Sequence, residues 1–132
     1  HTILQGDWSS DVCSSDLSGL EQVWTGEGFV SRFGLPLAER DTGYGHSSEQ
    51  VDAVRAPRGL LQEYYEAVHR QTAKVLQGID DPDLDRVVDE HWDPPVTLGV
   101  RLVSILGDCL QHLGQAAYAK GLHAEPADAP SA

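Results

Sequence analysis

Basic residues, cysteines and long apolar runs are all scarce in this sequence of 132 residues. Nine Lys and Arg stand against 21 Asp and Glu, which gives a formal charge of −12. That balance argues against a nucleic-acid partner, because phosphate contacts require clustered basic side chains. It also disfavours binding to an anionic membrane surface. No run approaches the ~18 apolar residues that a membrane-spanning helix requires.

The shortage of cysteine bears on the compartment. Cys13 and Cys109 are the only two cysteines, and two make a poor disulfide framework for a secreted scaffold. The start of the chain also lacks the basic region followed by an apolar one that marks a signal peptide. We therefore expect a reducing, cytoplasmic setting and a single domain with one core.

The first 17 residues are expected to be foreign to the protein. Residues 7–17 read DWSSDVCSSDL, which is rich in Ser and Asp and has no period of 2 or 3.6 residues. Back-translated in one frame, the run resembles a common sequencing adapter. The alternative is a natural Ser/Asp-rich loop. The adapter interpretation places the first authentic residue near Ser18 and predicts that the natural N-terminal part is missing. Residues 18–132 alone would have nine basic and 18 acidic residues, a charge of −9.

Two stretches in the middle of the chain have clear helical patterns. Ser47 followed by Gln50 is a capping-box signature and predicts a short helix from Ser48 to Val54. Pro57 suits a first helical turn and Gly78 suits a C-terminal cap. Between them, apolar residues recur at the spacing of one helical face: Leu60, Leu61, Tyr64, Tyr65, Val68, Thr72, Val75 and Leu76. An amphipathic helix is predicted there.

The intervening segments have weaker patterns. Ser18–Phe33 is helix-like but interrupted by glycines, and residues 34–46 have the composition of a loop. Residues 79–95 form an acidic connector in which we expect one short helix at Asp83–Val88. No segment shows a convincing strand pattern. Residues 123–132, rich in Ala and Pro, are expected to form a flexible tail.

The last predicted helix is the longest, beginning at a Thr97 cap and ending near Leu122. Its broad apolar face contains Leu98, Leu102, Ile105, Leu106, Cys109, Leu113, Ala116 and Ala117. Gly107, Gly114 and Gly121 repeat every seven residues. Because glycine destabilises a helix interior, this repeat indicates a seam where another helix backbone approaches closely. The alternative is that these positions are exposed and tolerate glycine.

A polar stripe beside that apolar face contains the candidate site residues: Arg101, Ser104, Asp108, His112 and Gln115. Asp108 and His112 are four residues apart, so their side chains can reach one point above the helix. Carboxylate and imidazole suit a divalent metal such as zinc, iron or nickel, with further ligands from other helices. The alternative, which spacing alone favours, is an Asp–His pair without metal. His46 is a further candidate because it lies in a glycine-bounded loop, where functional residues often lie.

Four stretches resemble the DinB/YfiT-like superfamily: VWTGEGFVSRFGLP (23–36), TGYGHSSEQVDAVR (42–55), DLDRVVDEHWDPPVTLGVRLVS (83–104) and GVRLVSILGDCLQHLGQAAYAKGL (99–122). The most specific element is the His-x-Gly-Gln run that ends the polar stripe. The resemblance implies an all-α fold, the DinB-like four-helix bundle, incomplete here at the N-terminus. Many members hold a metal with three histidines, one on the second helix and two, four residues apart, on the last. Characterised relatives include thiol S-transferases using bacillithiol or mycothiol, and a mycothiol-dependent maleylpyruvate isomerase.

The resemblance also implies roles for particular residues. His112 matches the second histidine of the pair, while Asp108 replaces the first with an oxygen ligand. The third histidine would precede Ser18, so the chain supplies at most two of three ligands. The implied function is a metal-dependent transferase, in which the metal generates a thiolate from a low-molecular-weight thiol. Arg101, Gln115 and His46 are the candidates for binding the thiol or its electrophilic acceptor. The alternative is a non-catalytic bundle with a degenerate metal site. With helices missing, we expect exposed apolar surface and self-association, with a homodimer as one expected assembly.

Overall fold

The structure of the protein is a computed structural model that describes residues 19, 21–39, 41, 43 and 45–123. The expectations for residues 1–17 and for the tail after His123 lie outside the described residues. The elements follow in this order: α1 (Val23–Gly26), α2 (Phe29–Phe33), α3 (Ser48–Ala53), α4 (Arg58–Leu76), a 3-10 helix (Asp81–Asp85), β1 (Val87–Asp89), β2 (Val96–Thr97) and α5 (Leu98–His123). The predicted all-α class is confirmed, with one small strand pair added.

Two glycines divide the first helical region into separate short helices. Gly28 lies between α1 and α2 with φ of 72°, and Gly34 ends α2 with φ of 54°. Both conformations are left-handed, which glycine adopts without the steric cost that a Cβ atom imposes. The interrupted helix predicted from the sequence is therefore confirmed.

The predicted capping box at the start of α3 is present. The Ser47 hydroxyl accepts a hydrogen bond from the Gln50 backbone N–H at 3.3 Å. The Gln50 side-chain oxygen in turn accepts from the Ser47 N–H at 2.9 Å. These reciprocal bonds satisfy two of the donors that a helix N-terminus leaves unpaired. The helix ends at Ala53, one residue earlier than predicted.

The core lies where α4 packs against α1 and α2. Tyr64 is fully buried, and its ring centroid lies 5.1 Å from that of Phe29 and 5.5 Å from that of Trp24. Val68, one turn later, is also buried, as predicted. Tyr65, predicted on the same face, is 53% exposed. The apolar face predicted for this helix is thus wider than the part that is covered.

The acidic connector differs from the prediction. The helical turn there is the 3-10 helix Asp81–Asp85, and the expected helix at Asp83–Val88 is wrong because the chain continues into β1. β1 pairs antiparallel with β2, which places Val87 opposite Thr97 and Asp89 opposite Val96. The sequence showed no convincing strand pattern, and the expectation that no strand forms was therefore also wrong. Short β-branched runs on both sides of a Pro-containing turn favour this pairing over a helix, because proline interrupts helical hydrogen bonding.

The long helix α5 is attached to the rest of the described chain mainly through its first turn. The Thr97 hydroxyl accepts from the Val100 N–H at 3.4 Å, as the predicted cap requires. Leu98 is fully buried, and a Cβ built on Gly99 would lie 3.3 Å from the Leu84 carbonyl oxygen. Gly99 therefore permits α5 to approach the 3-10 helix closely.

Beyond this first turn, the predicted apolar face of α5 is covered only in part. Leu102, Ile105, Cys109 and Ala116 are half-buried, whereas Leu106, Leu113 and Ala117 are exposed. Among the helices of the described residues, none combines the length and the hydrophobicity needed to cross a membrane.

Candidate functional site

Asp108 and His112 are neighbours on α5, one helical turn apart, as predicted. The His112 Nε2 atom lies 3.5 Å from Asp108 Oδ1. The His112 side chain is more buried than that of Asp108, and both are partly accessible to solvent. The pair can therefore meet a small ligand or ion without a change of backbone.

Gln115 contacts the ring nitrogen of His112 that lies away from Asp108. The His112 Nδ1 atom lies 3.2 Å from the side-chain oxygen of Gln115. The amide oxygen accepts a hydrogen bond from Nδ1 in the tautomer that carries its hydrogen on Nδ1. In that tautomer, the lone pair of Nε2 faces the Asp108 carboxylate. A metal ion placed between Nε2 and Oδ1 would then bind both groups.

The spacing of these two atoms fits a shared metal ion. Zinc binds nitrogen and oxygen ligands at roughly 2.0–2.2 Å, so two ligands of a tetrahedral ion lie about 3.4 Å apart. The observed 3.5 Å separation matches that value. Among the described residues, however, no group of three or more His, Cys, Asp or Glu could hold a metal ion. The described residues therefore offer at most two candidate ligands at this point, one fewer than the three protein ligands of catalytic zinc sites.

Arg101 lies on the same side of α5, seven residues or about 10 Å along the axis before Asp108. Its guanidinium donates to Asp89 Oδ2 at 2.8 Å. Asp89 Oδ1 also accepts from the backbone N–H of His91 at 3.0 Å, and lies 3.0 Å from the ring Nδ1 of His91. Arg101 is thus held in one orientation, and its side chain remains about one-third exposed.

His46 lies in a different part of the chain, just before the capping box of α3. Its Nε2 atom is 3.6 Å from Asp41 Oδ2, and only 7% of its side chain is exposed. The five predicted site residues therefore lie in three sets of contacts. Asp108, His112 and Gln115 form one set on α5, Arg101 pairs with Asp89, and His46 pairs with Asp41.

A family model described as mycothiol-S-transferase matches residues 17–124, which include α1 to α5 and all five predicted site residues. The chain belongs to the mycothiol-S-transferase family. The predicted membership of the DinB-like superfamily is thereby confirmed. The fold is similar to the crystal structure of a conserved protein from Enterococcus faecalis, with a TM-score of 0.81 and 31% identity. That similarity covers 89% of this chain and 69% of the other. A comparison with curated proteins finds no match.

The sequence patterns of this family member did not indicate Asp89 as part of the candidate site. It lies in the acidic connector, where seven Asp and Glu occur between residues 80 and 93 and none stands out. The pairing of β1 with β2 is what brings Asp89 to the first turns of α5. The available signal was the two β-branched runs, Val87–Val88 and Val96–Thr97, on either side of the turn.

The contacts of Asp89 predict its titration. Hydrogen bonds from the backbone and ring of His91 hold the pKa of Asp89 below its ordinary value of 3.8; burial opposes them, and the hydrogen bond from Arg101 lowers the pKa further. Because the pKa is lower in the folded state, the carboxylate stabilises the fold above about pH 4. That stabilisation is lost as the pH falls through the folded-state pKa.

Carbon-detected NMR of the Asp89 carboxyl group should therefore show a midpoint below 3.8. Asp89→Asn should remove this contribution to the acid dependence of unfolding, whereas Asp85→Asn, in the neighbouring 3-10 helix, should leave the Asp89 midpoint unchanged. A midpoint at or above 3.8 would show that the contacts with His91 and Arg101 do not persist in solution.

Proposed function

We propose that this protein transfers a low-molecular-weight thiol such as mycothiol to a small electrophile, with Asp108 and His112 as two ligands of a divalent zinc, nickel or iron ion. The observation that carries the proposal is the arrangement of Asp108, His112 and Gln115. It presents a carboxylate oxygen and an imidazole nitrogen at the separation of two ligands on one ion. Membership of the mycothiol-S-transferase family supports the choice of thiol.

Each residue of the site has a defined part in this proposal. A bound divalent ion would lower the pKa of a thiol and so supply a thiolate at neutral pH. Gln115 keeps the hydrogen of His112 on Nδ1 and leaves Nε2 able to bind, as outer partners of metal-binding histidines do. In the transfer, a sulfur–carbon bond forms, the thiol proton passes to solvent, and the leaving group of the electrophile departs with its electron pair.

Arg101 is the residue best placed to bind an anionic group of the thiol or acceptor. A guanidinium has five N–H donors, and the contact with Asp89 leaves others available. The Gln115 amide nitrogen is a second available donor on the same helix. His46, almost fully buried beside Asp41, is a third candidate, at the loop before α3.

A second candidate function is a non-catalytic bundle that binds a small ligand or a partner and has a degenerate metal site. The observation that favours it is the lack of a three-ligand group within the described residues. Two protein ligands bind a divalent ion more weakly than three. A smaller share of the protein would then hold the ion that activates the thiol.

Thiol transfer by the metal-loaded protein tests the first candidate. The chain is incubated with mycothiol and a chromogenic aryl halide, with zinc, nickel or iron added in turn, and thioether formation is followed spectroscopically. We expect protein-dependent product that disappears when a chelator removes the metal. His69→Ala, which changes an exposed histidine on α4, is the matched control and should retain the rate. Metal binding without product would favour the non-catalytic candidate.

A further inference from the structure

One side of α5 has a regular row of exposed apolar side chains. Val103, Leu106, Leu110, Leu113 and Ala117 follow one another at alternating intervals of three and four residues, and we call them the α5 seam. Their exposure is high, 59% at Leu110 and 70% at Val103. An alternating three–four spacing is the 3.5-residue repeat along which two helices pack side by side. The seam therefore matches a helical partner that runs nearly parallel or antiparallel to α5.

Three of the four glycines of α5 lie beside the seam. At about 100° per residue, Gly107, Gly114 and Gly121 fall along its edge. A Cβ built on any of them meets no atom of the described residues within 4 Å. The close helix approach predicted from the glycine repeat is therefore not made within the described chain. A row of large side chains next to a row of glycines forms a ridge beside a groove, which is the surface pattern that helix packing uses.

The seam lies on the side of α5 opposite the candidate metal ligands. On the same helical wheel, Asp108 and His112 are centred about 180° from Leu110. A partner bound to the seam would leave both ligands uncovered. Binding at the seam is therefore independent of the proposed function.

The charge distribution favours a second copy of the chain as that partner. The helix carries two basic residues and one acidic residue, Arg101, Lys120 and Asp108, and none of them belongs to the seam. The rest of the chain has seven basic and 20 acidic residues, a charge of −13. Two copies meeting through the acidic connector would bring like charges together, whereas contact along α5 joins two helices whose formal charge is +1 and whose seam has no charged side chain.

The pattern of the seam is also complementary to itself. Leu110 is its central residue, with two apolar residues at matching distances on each side. In an antiparallel pair related by a two-fold axis, Leu110 would lie near the axis and Leu106 would face the partner's Leu113. Each leucine ridge would then lie against the glycine groove of the other copy. We propose that the α5 seam is an antiparallel homodimer interface, with Leu110 at its centre.

The oligomeric state in solution tests this inference. Sedimentation velocity of the full chain should show a dimer at micromolar concentrations that dissociates on dilution. Leu110→Glu should give a monomer, because two carboxylates would meet at the two-fold axis without a partner. Leu110 is exposed in one copy, so the variant should keep the helical circular dichroism of the wild type. Leu110→Ala should weaken the dimer measurably and serves as a milder second variant.

Leu122→Glu is the matched control. Leu122 lies on the same helix, is 68% exposed, and is about 120° from Leu110 around the axis. It should leave the dimer intact. A wild type that stays monomeric up to its highest soluble concentration would overturn the proposal, as would equal dissociation by Leu110→Glu and Leu122→Glu. A monomeric wild type whose free energy of unfolding falls in Leu110→Glu would also overturn the proposal. The seam would then be covered by a segment of the same chain.

Discussion

Replacing Tyr64 with alanine is expected to lower the free energy of unfolding by about 3–5 kcal/mol. Tyr64 is fully buried, and its ring contacts those of Trp24, Phe29 and Phe33. Truncation would leave a cavity at the point where α4 meets α1 and α2. Small domains are stable by only about 5–15 kcal/mol in total, so this one change would remove a large share of the margin.

Urea denaturation followed by circular dichroism measures the loss. Tyr65→Ala is the matched control, because it removes the same side chain from the next position of the same helix. Tyr65 is half-exposed and stacks on His69, so we expect its loss to cost about 1 kcal/mol or less. Equal destabilisation by the two variants would contradict the location of the core between α1, α2 and α4.

Replacing His112 with alanine is expected to abolish specific binding of a divalent metal. Losing an outer partner of a metal ligand typically lowers affinity about 10–100-fold, and losing one of two ligands should exceed that. The Asp108 carboxylate alone would bind no more tightly than other exposed acids of this chain. Gln115→Ala should give the smaller loss, because it frees the orientation and the tautomer of His112 without removing a ligand.

Isothermal titration with zinc and nickel, and elemental analysis after dialysis, measure this effect. His69→Ala removes an exposed histidine far along the sequence from the site and should leave the metal content unchanged. Equal metal content in the wild type and His112→Ala would refute the assignment. It would leave the alternative drawn from spacing alone, an Asp–His ion pair in which a proton rather than a metal lies between Nε2 and Oδ1.

Contacts between residues close in sequence could be predicted from local patterns. The capping box of Ser47 and Gln50, the Thr97 cap and the Asp108–His112 pair all join residues three or four apart. Helical geometry alone places such side chains together, whatever the rest of the fold does. The same holds for the interruption at Gly28, where the lack of a Cβ atom permits a left-handed turn.

Contacts between residues distant in sequence could not be predicted from local patterns. The expected helix at Asp83–Val88 was wrong because Val87–Asp89 finds a strand partner on the far side of the Pro94–Pro95 turn. That pairing is also what carries Asp89 to Arg101. Nothing in the local pattern of the acidic connector distinguishes Asp89 from its acidic neighbours.

The sequence by itself determined the helical class, the long final helix and the turn-to-turn contact of Asp108 with His112, because each follows from the 3.6-residue period. Only the tertiary structure decided which apolar faces are covered. Periodicity places Tyr64 and Tyr65 on one face, yet Tyr64 is fully buried and Tyr65 is half-exposed. Burial depends on which other elements arrive against a helix, and that is a property of the whole fold rather than of the local pattern. For α5, the described elements cover the first turn and leave the seam exposed.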